Sequence, residues 1–194
     1  MNEIITQYDQ ERWPLLEVPS QECKLPLNEY ELEQVKRMDS ILTELGDNAA
    51  GLAAVQIGYP KRIFMLRRNE ENELYINPKI IARSNELKMS GEACLSLPGM
   101  YVRSRRPKFV SLSWTNLDGS EQVETFNGFW ARAVCHEMDH LDGKLIINDL
   151  QKEMNKASQK MSFGMVIDES SRKRISDRRA KNKRAKAARK LNRG

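Results

Sequence analysis

Gly128-Phe129-Trp130-Ala131-Arg132-Ala133-Val134-Cys135-His136-Glu137-Met138-Asp139-His140-Leu141-Asp142-Gly143 is a run with no internal turn residue, closing on a glycine. A glycine just past the last helical residue suits a left-handed C′ position, so the run reads as a helix over 128–142. Few of its positions are charged, as expected of a buried helix. Within it, His136-Glu137-Met138-Asp139-His140 is an H-E-x-x-H motif, and its histidines are the only two in the chain. Residues four apart share one helix face, so both imidazoles can reach one metal ion. Glu137 points about a quarter-turn away, where it can serve a water molecule at the ion without itself being a ligand.

Working outward from this helix, Asn28 and Glu31 form the ends of a capping-box signal. Leu32, Val35, Met38, Leu42 and Leu45 follow at helical spacing up to Gly46, which predicts an amphipathic helix over 28–45. Residues 49–58 are small and nearly uncharged, and small side chains permit close backbone approach. Short β-type stretches follow at 63–66, 74–76, 79–82, 100–102, 109–114 and 122–126, with Asp118-Gly119 as a hairpin signal. Residues 1–27 read as irregular, and a further helix is expected from about 149 to 163. Strands and helices come in blocks rather than in βαβ alternation, which indicates an α+β fold.

The 194 residues carry a net charge of +5, but the charge is unevenly placed. Residues 172–194 contain twelve Lys/Arg and one acid, leaving residues 1–171 at −6. The chain is therefore expected to divide into a domain over 1–165 and a basic tail over 166–194. A basic block of this kind is a solvated or extended segment with affinity for polyanions. No apolar run is long enough to span a membrane, and no secretory signal is evident at the N-terminus. Three scattered cysteines do not make a disulfide framework, so a cytoplasmic setting is expected.

The third metal ligand must be sought outside the helix. A third histidine at the spacing used by some peptidases is ruled out, because that position is Ile146. The downstream acids Asp149, Glu153, Asp168 and Glu169 carry no motif that singles one out. Cys94, in Glu92-Ala93-Cys94-Leu95-Ser96, is the best remaining donor, its thiolate being a strong ligand for iron or zinc.

Three segments taken together resemble the peptide deformylase family. Gly51-Leu52-Ala53-Ala54-Val55-Gln56 is similar to its G-x-G-x-A-A-x-Q motif, Glu92 to Ser96 to E-G-C-L-S, and His136 to His140 is its H-E-x-x-H. They occur in the family's order, with Ile76-Asn77-Pro78 matching between the first two. The resemblance covers roughly residues 10–160. Ala49 and Ala93 stand where the family has glycine, which implies altered substrate fit or loop conformation rather than loss of metal.

The resemblance implies a fold of mostly antiparallel strands around the H-E-x-x-H helix. It also implies that Cys94, His136 and His140 bind one divalent metal, Fe(II) natively, with Zn, Ni or Co able to replace it. The implied substrate is a nascent peptide beginning with N-formylmethionine. Water activated at the metal attacks the formyl carbon, with Glu137 as general acid/base, releasing formate. The Gln56 amide and the Leu95 backbone N–H are implied donors to the formyl oxygen. Phe129, Arg132 and Ala133 share a face with His136 and are expected to line the methionine pocket, with Ala50 and Ala93 beside it. Phe129 and Ala133 suit an apolar side chain, whereas Arg132 does so only if its head reaches solvent. The Gly51 backbone is expected to pair with the peptide as an added strand. Glu92 and Arg106 are expected to form a buried pair supporting the Cys94 loop. The tail at 172–194 is expected to dock on ribosomal RNA, and the protein to be a monomer with no membrane partner. Two other readings are an H-E-x-x-H zinc peptidase and an inactive ribosome-binding homologue.

Overall fold

Asn28 opens the first helix, α1 (Glu29–Leu45), as its sequence dictates: its side chain accepts from the Glu31 N–H, and the Glu31 carboxylate accepts from the Asn28 N–H. A computed structural model describes residues 4–148 in this detail. The expected helix at 149–163, the boundary at 165 and the basic tail lie outside the described residues. The buried face of α1 runs through Glu31, Gln34, Val35, Met38 and Leu42. Leu32, assigned to that face by spacing, is instead exposed. Glu31 takes the inner place because Tyr59 Oη also donates to its carboxylate, at 3.1 Å, so the buried charge is satisfied.

Seven strands follow: β1 (Gly51–Ala53), β2 (Ile63–Arg68), β3 (Glu71–Arg83), β4 (Leu87–Ala93), β5 (Tyr101–Pro107), β6 (Phe109–Thr115) and β7 (Glu121–Asn127). Five form one antiparallel sheet in the order β1-β2-β3-β6-β7; β4 and β5 form a separate antiparallel pair. The second helix, α2 (Gly128–Leu141), follows β7 directly. The architecture is α+β with antiparallel sheets.

The expected strands at 74–76 and 79–82 are parts of one long strand, β3, whose register shifts at Asn77-Pro78. Asn77 has φ 48°, which asparagine tolerates, and its side chain bonds both backbone groups of Cys23 at 2.7 and 2.9 Å. The bulge thus anchors the N-terminal segment. That segment is more ordered than its composition implies. Ile5 N–H donates to Gln56 O at 2.7 Å and Gln7 N–H to Ser96 O at 2.9 Å, tying together two loops distant in sequence.

One core lies between α2 and the five-stranded sheet. It includes Phe64, Tyr75, Val110, Leu112, Phe126, Ala131, Val134 and Leu141, all at most 2 % exposed. A second core joins α1 to β2 through Met38, Leu42, Leu52, Ile63 and Ile76. Each fully buried large side chain contributes about 1.5–3 kcal/mol from desolvation. Together the two cores clamp β1 and the 3-10 turn Ala54–Ile57, so the small-residue segment is rigid. β1 sits at the sheet margin and pairs only with β2, leaving its other edge unpaired among the described residues.

Candidate active site

α2 runs through the core, and its H-E-x-x-H face is met by the loop that follows β4. Cys94 Sγ lies 3.2 Å from His140 Nε2. The donor atoms of Cys94, His136 and His140 all fall within 4.8 Å of one another. Among the described residues this is the group of three His, Cys, Asp or Glu side chains so arranged.

Burial works against a charged His136, but its hydrogen bonds with Cys94 and Glu92 and the Glu137 charge outweigh this and lift its pKa to about 10. His140 is held well below the usual histidine range by burial and by the neighbouring His136 charge, so its ring is neutral. Imidazole nitrogen and cysteine sulfur are donor types that late first-row metals take. One thiol and two imidazoles leave a fourth position open in tetrahedral geometry. The residues present therefore fit a divalent metal.

Glu137 is 4 % exposed. Burial raises its pKa, His136 opposes this and Glu92 adds to it, the result being about 7. Its Oε2 is buried without a hydrogen-bond partner among the described residues. A buried oxygen left unsatisfied costs about 1–3 kcal/mol, so the site carries a polar group that answers to something other than the fold. Gly51 explains how the carboxylate fits. A Cβ at residue 51 would lie 2.6 Å from Glu137 Oε1 and 3.0 Å from Leu66 Cδ2. Any side chain there would have to push the Glu137 carboxylate aside.

Gln56 is immobilised at both ends of its amide. Its Oε1 accepts from the Ala53 N–H at 2.9 Å, and its Nε2 donates to Ser96 Oγ at 3.1 Å and faces Cys94 Sγ at 3.8 Å. Leu95 lies beside it on the wall of a cavity of about 320 Å³ that opens onto Cys94, His136 and Glu137. Ala50, Gly51, Ala93, Phe129, Arg132 and Ala133 line the same cavity. Ala49 faces it too but is mostly buried in the second core, while Ala93 is exposed to the cavity. The extra methyl of Ala93 thus lies in the space a ligand would use.

Glu92 and Arg106 form a two-pronged ion pair, Nε–Oε1 at 2.7 Å and Nη2–Oε2 at 2.9 Å. Burial pushes the Glu92 pKa up, but hydrogen bonds from Arg106, His136 and Ser104 hold it well below the carboxylate range. Glu92 Oε2 lies 3.1 Å from His136 Nδ1, which fixes the ring and turns its other nitrogen toward Cys94. Arg106 Nη1 also donates to Asp139 Oδ2 at 2.5 Å. Asp139, one of the two unspecified motif positions, had no role in the sequence reading. The signal available for it was its spacing, three residues beyond His136 on the same helix. Ser90, Ser96 and Ser104, which bond Arg132, Gln56 and Glu92 respectively, were likewise missed. Arg106→Leu is expected to lower stability by about 3–5 kcal/mol, because two carboxylates lose their cation in a buried setting. The shift in urea midpoint measures this, and Arg106→Lys should recover part of it.

Arg132 is half-buried: its Nη1 donates to Ser90 Oγ on β4, and the guanidinium lies 5.1 Å from the centre of the Phe129 ring. Phe129 itself is 51 % exposed, a rim residue rather than a core one. Cys135 is buried, which raises its thiol pKa to about 11, and lines a different groove on the far side of α2.

An α+β fold that sets an H-E-x-x-H helix against an antiparallel sheet, with a cysteine as third donor, defines a metal-hydrolase class. The family model for polypeptide deformylase matches residues 3–156. A peptide deformylase of Rhizobium meliloti is 32 % identical over 148 residues, covering 72 % of this chain and 85 % of that one. The crystal structure of peptide deformylase from Thermotoga maritima superposes with TM-score 0.68 at 30 % identity, over 76 % of this chain and 96 % of that one. One from Plasmodium falciparum gives TM-score 0.66 at 29 % identity, over 80 % and 93 %. The chain belongs to the peptide deformylase family and is accordingly an enzyme, a metal-dependent deformylase. No helix among the described residues is long and apolar enough to cross a membrane.

Proposed function

We propose that the chain removes the formyl group from N-formylmethionyl peptides at the Cys94, His136 and His140 cluster, releasing formate. The observation that carries this reading is the convergence of three donor atoms beside a buried Glu137 oxygen with no partner. A bound divalent ion, Fe(II) by resemblance with Zn, Ni or Co as substitutes, would supply Lewis acidity toward water and the formyl oxygen.

The chain's own residues do the rest. Glu137 Oε2 takes a proton from the attacking water and returns it to the departing amine. A carboxyl with a pKa near 7 suits both transfers at neutral pH. The Gln56 Nε2 group and the Leu95 backbone N–H hold the formyl oxygen as charge develops on it. Because the Gln56 amide is already fixed by Ala53 and Ser96, little reorganisation is needed when that charge appears. The unpaired edge of β1 binds the peptide backbone through Ala50 and Gly51 as an added strand. Ala93, Phe129, Arg132 and Ala133 surround the first side chain. Glu92 orients His136, and Arg106 orients Glu92.

The test is formate release from formyl-Met-Ala-Ser under anaerobic, iron-replete conditions, with cleavage of internal peptide bonds followed in the same samples. Formate without peptide fragments is the expected result. Peptide fragments would instead support the zinc peptidase reading, and neither product would support an inactive homologue. Gly51→Ala is expected to fold but to release formate about 10²-fold more slowly, because the added methyl displaces the Glu137 carboxylate. Steady-state kinetics with a thermal melt as control checks this.

Residues 172–194 lie outside this chemistry. We propose that their net +11 charge docks the enzyme on ribosomal RNA where nascent peptides emerge. Truncation at 171 is expected to abolish ribosome co-sedimentation at low salt while leaving activity on the free peptide intact.

A further inference from the structure

Residues 79–108 hold seven Lys/Arg against two acids, a net +5, which leaves the rest of residues 1–171 at −11. A basic stretch in an otherwise acidic body is thus the one that includes β4 and β5. Alternation along this antiparallel pair sorts its side chains onto two faces. Glu92, Val102, Ser104 and Arg106 are buried on the inner one. The outer one sets Met89 opposite Arg105, Gly91 opposite Arg103 and Ala93 opposite Tyr101, and no acid stands on it.

Arg103 and Arg105 are exposed, and neither has a carboxylate partner among the described residues. Arg62, Arg68 and Arg106, by contrast, each have one. Tyr101 is 75 % exposed, yet its ring is held. A Cβ at residue 91 would run into that ring, so the ring rests across the Gly91 backbone. Residues two apart on a strand leave the backbone at intervals of about 6.8 Å. One aromatic ring and two guanidinium groups therefore form a row rather than a converging cluster. Arg105 also borders a groove behind α2 that is lined by Lys79, Arg83 and Lys144, and this extends the row. A row of cations suits a linear polyanion. Single-stranded RNA fits it better than an acidic polypeptide, because unstacked bases lie on exposed rings while arginines meet the phosphates. An acidic polypeptide would use the cations but has no need of the ring.

We propose that the outer face of the β4–β5 pair binds single-stranded RNA, with Arg103 and Arg105 on its phosphates and Tyr101 stacked on a base. Gly91 and Ala93 also line the active-site cavity, so the bound strand lies beside it. This face lies apart from the donor cluster, and its RNA binding does not depend on the deformylase reading.

The test titrates the full chain with a fluorescent oligouridylate at a series of KCl concentrations. Each phosphate contact on a single strand adds about 0.7 to the slope of log affinity against log salt. Arg103→Ala/Arg105→Ala is therefore expected to flatten that slope by about 1.4, over and above whatever residues 172–194 contribute. Arg103→Lys/Arg105→Lys keeps both charges and should leave the slope at the wild-type value. Tyr101→Ala should weaken binding about 5- to 150-fold with the slope unchanged. A thermal melt of each variant verifies that it is folded. Slope and affinity unmoved in the folded Arg103→Ala/Arg105→Ala and Tyr101→Ala proteins overturn the proposal. Oligoglutamate binding that Arg103→Ala/Arg105→Ala weakens, with oligouridylate binding unchanged, would assign the face to acidic polypeptide and overturn it as well.

Discussion

Glu137→Gln is expected to lower formate release by about 10²–10⁴-fold while metal content stays at the wild-type level. The amide matches the carboxylate in shape, so the space left by Gly51 still accommodates it. It cannot take up a proton at neutral pH, which is the property the substitution removes. Metal binding should survive because Glu137 is not among the three converging donors. Stability should not fall by more than about 1 kcal/mol, since the native carboxylate already has a buried oxygen without a partner. Formate release, metal analysis and a thermal melt on the same preparation check all three statements. Activity within a few-fold of wild type would remove Glu137 from proton transfer.

Cys94→Ala carries the second large effect, and it acts on the metal rather than on the proton. Removing outer-shell partners of a metal site typically costs about 10–100-fold in affinity, and loss of a direct thiolate ligand costs more. The variant is therefore expected to purify with far less than one equivalent of metal and to release formate at the background rate. Its fold should persist, because Leu97, Val102 and Ile146 keep the small core around position 94. A metal-replete Cys94→Ala protein would show that the third ligand lies elsewhere, as the peptidase reading requires.

These two experiments bear on residues the sequence brought forward by different routes. Glu137 stands inside a local pattern, and four-residue spacing on a helix is a property of the backbone alone. Helix α1 was legible for the same reason: its cap is a contact between residues three apart. Its buried face was misjudged at Leu32 because Glu31 is satisfied by Tyr59, 28 positions away. Strand β4 escaped notice because its pattern is polar. Its pairing with β5 buries Glu92 against Ser104 and Arg106 rather than hydrocarbon, so hydrophobic alternation had nothing to report.

By itself the sequence determined the H-E-x-x-H helix, the cap of α1, the small-residue segment before Gln56 and the division into an acidic body and a basic tail. All of these depend on neighbours along the chain. The tertiary structure alone decided how Cys94 meets His140 across 46 positions and how Glu92 reaches His136 across 44. It also decided that Arg132 meets the Ser90 hydroxyl, 42 positions away. Such contacts are set by which strand lies beside which helix. A local period fixes the face a side chain leaves from, but the packing of the other elements fixes what it meets.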